Sequence, residues 1–259
     1  MSRDTEISSE KIRGYLGNTA NYSITVYDTL DSTNAEAKRL AAMSAENTVV
    51  IAKEQTAGRG RLGRSFYSPK GGGLYVSFLQ KCNIPPEDIV AVTTAVSVVV
   101  SRAIKAAADA EVGIKWVNDL YFDGRKVCGI LAEAVWDTAN SDLKYMVTGI
   151  GINCGDIDFP EDIERLAGSI GSVNKNRLAA ELIKGMECLE EMVINKSYID
   201  EYRKKSLVIG REIKILNTGE TAKAVDIDNF GGLVIQTDGG ETKTLSSGEI
   251  SIRLCGNNT

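Results

Sequence analysis

Residues 208–259 constrain the architecture more than any other stretch. REIKILN, TAKAVDID, GLVIQTD, TKTLSS and EISIRL alternate apolar and polar side chains over runs too short for helices. Asn-Thr-Gly, Asn-Phe-Gly-Gly and Asp-Gly-Gly turns separate them. A chain that reverses this often, with one apolar face per strand, closes into a small all-β barrel. The upstream sequence lacks this texture, so the spacing predicts two units, 1–207 and 208–259.

The first unit mixes strands with helices. ITVYDTLDSTNAEAKRLAAM opens on alternation at Ile24 and Val26 and becomes helical through Ala35, Ala37, Leu40 and Ala41. Thr33 reads as the N-cap, with Glu36 three residues on completing a capping box. Ser32, Thr33 and Asn34 then sit at a helix start, where free N–H groups favour an anion. TVVIAKEQ and GLYVSFLQ read as strands, and Pro85–Asp88 opens a helix over Ile89–Ala108. Thr93, Thr94, Ser97, Ser101, Arg102 and Lys105 interrupt that helix, which predicts core burial rather than a membrane span. VGIKWVNDLYF and KVCGILAEAVW form a hairpin about Asp123-Gly124, and LKYMVTGIGINC is a further strand. Helices are expected around EDIERLAGSI and NRLAAELIKGMECLEEMVI.

Composition removes several chemistries. The chain has no histidine, so Ser-His-Asp triads, Cys-His pairs and His bases are excluded. Its five cysteines, Cys82, Cys128, Cys154, Cys188 and Cys255, lie far apart with no CxxC, and read as free buried thiols. The N-terminus is charged and lacks a signal-peptide core, which predicts a cytoplasmic protein.

GRGRLGRSFYSPKGGGLY, from Gly58 to Tyr75, runs against the net charge of -5. Lys53 to Lys70 holds five basic residues and one acidic. Glycines let the backbone approach a guest, and arginines present planar forks to carboxylate or phosphate. The loop is neither a Walker loop nor a dinucleotide fingerprint. An anion cradle, a solvated basic loop and a nucleic-acid contact remain near parity on composition. The pI of about 5.1 argues against nucleic acid. In the hairpin, a two-residue turn pairs Phe122 with Arg125, Tyr121 with Lys126 and Asn118 with Gly129. Lys115 and Lys126 then share a face roughly 20 Å apart, too far to hold one carboxylate.

Ser32-Thr33-Asn34, the Gln55 to Arg64 loop, SPKGGGLYVS, KWVNDLYFDGRKVCGIL, GIGIN and SGEISIR together resemble the biotin protein ligases, in their order and spacing. The resemblance runs from about Tyr22 to Leu254. It implies an α+β catalytic domain related to class II aminoacyl-tRNA synthetases, a mixed sheet backed by helices, with a C-terminal SH3-like barrel. It implies biotin contacts from Ser32, Thr33, Asn34, Gln55, Arg59, Gly60, Arg61, Lys126, Gly129 and Leu131. It implies ATP contacts from Arg61, Arg64, Phe66, Lys115, Asn118 and Asn153, with Lys126, Arg61 and Arg64 as the catalytic cations. ATP, biotin and Mg2+ are the implied small molecules, and the metal's ligands are not legible.

The implied partner is a biotin carboxyl carrier protein or domain, with biotin passing through biotinyl-5'-AMP to its lysine. About twenty residues precede the first motif strand, so the resemblance is to a short form without the N-terminal DNA-binding domain; no DNA or membrane partner is expected. Edge strands of the sheet could pair in a homodimer, though the sequence selects none. Two positions depart from the family pattern: Phe66 stands where Trp is usual, and Val117 where Pro is usual. The rival readings are a lipoate or octanoate ligase on the same fold, and a nucleic-acid-binding module using the Arg/Gly loop.

Overall fold

The computed structural model describes residues 6–17, 21–43, 46–81, 84–85, 88–136, 143–246 and 250–252. Helix α1 (Ser9–Leu16) is followed by β1 (Ser23–Tyr27), α2 (Thr33–Ala42), β2 (Thr48–Ala52) and β3 (Gly73–Gln80). The long α3 (Ile89–Ala108) precedes β4 (Gly113–Lys115), β5 (Asp119–Phe122), β6 (Arg125–Trp136) and β7 (Leu143–Asn153). These strands form a mixed seven-stranded sheet in the order β1-β2-β3-β7-β6-β5-β4. Only β1 and β2 are parallel, because α2 carries the chain back between them; the other neighbours are antiparallel.

One face of the sheet is covered by α3, which α4 (Lys175–Glu187), α5 (Leu189–Asn195) and α6 (Ile199–Lys205) pack against in turn. Val90–Ala108 is long and apolar enough to cross a membrane, but most of it is buried inside the fold. Val92, Val96, Val99, Val100 and Ile104 are core residues, as expected of a buried helix. Gly185 allows α4 its close approach, since a Cβ there would lie 2.5 Å from Val99 Cγ1.

The last strands, β8 (Glu212–Ile215), β9 (Thr221–Ile227), β10 (Leu233–Thr237), β11 (Thr242–Leu245) and β12 (Ile250–Ile252), make a five-stranded antiparallel sheet. Its order is β11-β10-β9-β8-β12, the small C-terminal barrel that the alternation predicted. Ile213, Ile215, Ala224, Leu233 and Ile235 belong to the same apolar cluster as the α3 valines. Polar contacts tie the two parts as well: Trp116 Nε1 donates to Gly231 O and Arg203 Nε to Ile227 O, both at 2.9 Å.

Several local expectations are corrected. Ser32, not Thr33, is the N-cap of α2, because Gln55 Oε1 accepts the Thr33 N–H at 2.8 Å and draws Thr33 into the first turn. Glu36 closes no capping box; it receives the Tyr27 hydroxyl and pairs with Arg39. VGIKWVNDLYF is two strands, β4 and β5, folded back on each other about a turn at Trp116–Asn118, in which the Trp116–Val117 peptide is cis. EDIERLAGSI is turns rather than helix: the Pro160 carbonyl takes the N–H of both Ile163 and Glu164, and the following residues are drawn into pairing with Lys126. The expected helix from Asn176 is broken at Cys188, which leaves helical geometry at φ -92°, ψ 0°. Among the cysteines, Cys128 and Cys154 are buried and free, whereas Cys188 is free and exposed; Cys82 and Cys255 lie outside the described residues.

Candidate active site

A cavity of about 110 Å³ opens between the α2 N-terminus, the glycine–arginine loop and β5–β7. Its floor is set by a bulge in β6. Phe122 pairs with Arg125 and Tyr121 with Lys126, but Leu120 then pairs with Cys128, leaving Val127 extra. Gly129 therefore meets Asp119, and the expected partner Asn118 is displaced by one residue. A bulge bends the strand and re-aims the side chains that follow it. Val127 and Cys128 both enter the core, fully buried, against a fully buried Leu120. Burying the Val side chain alone favours this by about 1.5–3 kcal/mol. Lys126, Gly129 and Leu131 are thereby left to line the cavity together.

One end of the cavity is cationic. Lys126 Nζ lies 2.7 Å from Asp119 Oδ1, an ion pair without the alignment of a hydrogen bond. The Lys126 backbone is clamped: its N–H donates to Leu166 O and its carbonyl accepts from Gly168 N, both at 2.8 Å. The glycine–arginine loop is a short hairpin. Gly60 N donates to Arg64 O at 2.7 Å and Phe66 N to Gly58 O at 2.9 Å, and its tip turns at Leu62 and Gly63, with φ 55° and 75°. It lays Arg59, Gly60, Arg61 and Arg64 along the cavity. Asn118 holds the Ile130 backbone through Nδ2 at 2.9 Å, which leaves its Oδ1 to accept from Arg61 Nη1 at 3.3 Å. The Phe66 ring rests against the strands, where a Cβ on Gly151 would meet it at 2.5 Å.

The other end is polar and uncharged. Ser32, Thr33 and Asn34 are all at most 4% exposed, yet line the cavity. Gln55 joins the helix start to the loop: its Oε1 accepts from Thr33 N, and its Nε2 donates to Ser68 Oγ at 2.8 Å. Thr33 and Asn34 also meet Ser77 of β3, at 2.7 and 2.5 Å. The anion expected at this helix start is thus answered in part by Gln55 itself. Burial, followed by the nearby Asp119, pushes the Tyr121 phenol up to about 12, so it stays neutral.

Two implied residues do not line this cavity. The β4–β5 turn folds Lys115 back opposite Asp119, with Nζ 5.8 Å from the Tyr121 ring centre, so the straight-strand separation from Lys126 does not apply. Asn153 is buried and donates to Gly168 O at 3.0 Å. The sequence marks Asp119 as a charged residue of the hairpin without a site role, and gives Ser68 and Ser77 none. Ser77 carries a usable signal, a small hydroxyl between Val76 and Phe78 in a buried strand.

Residues 26–153 match the biotin/lipoate A/B protein ligase family, and residues 208–253 match the biotin protein ligase C-terminal domain. The bifunctional ligase/repressor BirA of Bacillus subtilis is 30% identical across 95% of this chain and 80% of its own length. The biotin–[acetyl-CoA-carboxylase] ligase of Mycobacterium tuberculosis is 30% identical across 85% of each chain. The chain belongs to the biotin protein ligases. The fold agrees: the biotin protein ligase from Aquifex aeolicus in complex with biotin and ATP superposes with a TM-score of 0.74 at 30% identity, over 89% of this chain and 98% of that one. Like its relatives, the chain is a ligase, and its cavity lies on the sheet of the matched catalytic region.

Proposed function

We propose that this ligase activates biotin with ATP and transfers it to a lysine of a biotin carboxyl carrier domain. The biotin carboxylate attacks the α-phosphate, giving biotinyl-5'-AMP and pyrophosphate. The acceptor amine then attacks the acyl carbon, forming the amide and releasing AMP. The observation that carries this reading is the polarity of the cavity. Uncharged hydrogen-bonding groups gather beside Leu131, and cations gather about Lys126, roughly 13 Å away along β6 at about 3.3 Å per residue with the bulged Val127 left out of the count. Biotin has a matching asymmetry, a cyclic urea at one end and a carboxylate at the other.

A carboxylate is already a nucleophile at neutral pH, so the first step needs no histidine. It needs cancellation of repulsion between two anions, and Arg59, Arg61, Arg64 and Lys126 supply fixed positive charge there. Phe66, Asn118, Lys115 and Asn153 belong to the ATP side in this proposal, with Lys115 and Asn153 reaching the nucleotide beyond the cavity. Asp119 is the one carboxylate among the lining residues, and it receives the proton of the acceptor ammonium once Lys126 turns to the phosphate. Among the described residues no group of three acidic or sulfur ligands could hold a metal, which suits Mg2+ arriving on the ATP phosphates with its own waters.

Lipoate fits less well, because its dithiolane has no N–H to offer the lone pairs that Thr33 Oγ1 and Asn34 Oδ1 keep beyond their bonds to Ser77. The test is incubation with labelled biotin, MgATP and a biotin carboxyl carrier domain. Covalent label on the carrier is the expected result. Equal adenylate formation from lipoate, or no covalent label, would overturn the proposal.

A further inference from the structure

Glu133 lies beyond the chemistry of the cavity, two residues past Leu131 on β6, yet it holds the Asn34 amide. Asn34 Nδ2 donates to Glu133 Oε2 at 2.8 Å and to Leu131 O at 3.3 Å, so both amide hydrogens are used. Its Oδ1 lies 2.5 Å from Ser77 Oγ. Turned by 180°, the amide would aim an oxygen at a carboxylate and at a carbonyl. That arrangement sets three acceptors together, so the carboxylate decides which way Asn34 faces. The other Glu133 oxygen, Oε1, is 2.6 Å from Lys38 Nζ, and Lys38 stands one helical turn after Asn34 on α2. One helix face therefore grips both oxygens of Glu133. Gly149 leaves the room this needs, since a Cβ there would collide with the Asn34 amide.

The orientation propagates. Ser77 has one proton and lies close to both Asn34 Oδ1 and Thr33 Oγ1. With Asn34 Oδ1 unable to donate, the Ser77 proton goes to it, and Thr33 donates to Ser77. Gln55 Oε1 is then served by the Thr33 N–H, not by its hydroxyl. Asn34 Oδ1 and Thr33 Oγ1 are both left with lone pairs, and both residues line the cavity. A guest must bring N–H donors to meet them.

We propose that Glu133, held by Lys38, is a positioning residue that locks Asn34 as a hydrogen-bond acceptor and so makes the site select a head group with N–H donors. This rests on the reading of the polar end as the head-group site. Glu133→Gln keeps an acceptor for the amide and loses the charge; Glu133→Leu removes both. Lys38→Met leaves Glu133 in place but frees its second oxygen.

The experiment is biotin-dependent pyrophosphate exchange with biotin and with an analogue whose ureido nitrogens are methylated. Glu133→Leu is expected to raise the KM for biotin about 30-fold and to shrink the preference for biotin over the analogue about 10-fold. The KM for ATP, and kcat at saturating biotin, should stay within about 3-fold. Glu133→Gln should recover most of the loss, and Lys38→Met should fall between the two. If Glu133→Leu leaves the KM and the preference unchanged, or raises the ATP KM as much as the biotin KM, the proposal is overturned. Asn34→Ala separates the two failures: unchanged biotin binding there removes the head-group reading itself, whereas loss there with an indifferent Glu133 removes the positioning role alone.

Discussion

Lys126 and Gly129 look into one cavity although they stand three residues apart on a strand, a spacing that ordinarily sends side chains to opposite faces. Val127 is the extra residue that makes this so. A cation thereby comes to the same wall as a glycine, over which the Phe66 ring lies, 3.3 Å from where a Cβ would stand.

Lys126→Ala and Arg61→Ala should each lower biotin-dependent pyrophosphate exchange by about 10²–10³. Neither side chain is in the core, so circular dichroism should report an intact fold. Near-normal exchange in both variants would remove the cations from the assignment.

Asp119→Asn should separate the two half-reactions. Exchange should persist within about 10-fold, because the phosphate-facing cations remain. Transfer to the carrier lysine should fall further, by about 10²–10⁴, as expected when a proton acceptor is lost. Single-turnover transfer from preformed adenylate measures the second step directly, and equal losses in both steps would contradict the role.

Gly151→Ala introduces a methyl group where the Phe66 ring sits. Overpacking of this kind costs about 1–3 kcal/mol, read from urea unfolding. Adding Phe66→Ala should cancel most of that cost, because the two residues are in contact and their effects do not add. Additive losses would mean the ring is not what the new methyl meets.

The Arg39 guanidinium beside Asp31 holds the Asp31 carboxyl down to about 2, and Asp31 also accepts the Ser32 N–H at 2.8 Å. A carboxyl depressed in the folded state adds stability above its unfolded value of about 3.9. That stability is lost as pH falls toward 2. Carbon-detected NMR titration should show Asp31 titrating near 2, and Arg39→Ala should return it toward about 3.9. The pair is half-exposed, so the effect on stability is small and salt-sensitive.

Burial pushes the Cys154 thiol up to about 11 and Cys128 higher still. Iodoacetamide at about pH 8 should modify Cys188 in the folded protein while Cys128 and Cys154 react only in denaturant, since the thiolate is the reactive form. Peptide mapping reads this out, and native labelling of Cys128 would contradict its burial.

Elements with a strong period were legible. β3, β6, β7 and the five barrel strands follow from alternation or apolar runs, and α3 follows from a long buried pattern punctuated by small polar residues. Two of the misread segments share one cause, a distant partner that captures the backbone. Gln55 moves the start of α2 by one residue, and Lys126 pulls residues 166–168 out of helix and into pairing. No local propensity carries that information.

By itself the sequence determined the inventory: a chain without histidine, a cationic glycine-rich loop, a polar helix start, and Lys126 on a hairpin. Those facts restrict the chemistry to holding anions and a neutral polar group. Only the tertiary structure decided which of these groups share a wall. Side chains on a strand alternate with period two, so one additional residue inverts every later position. Whether Val127 is absorbed as a bulge depends on the space beside Leu120, which the rest of the core creates. The same packing turns KWVND into a tight hairpin, carrying Lys115 back beside Asp119 and leaving Asn118 facing Arg61.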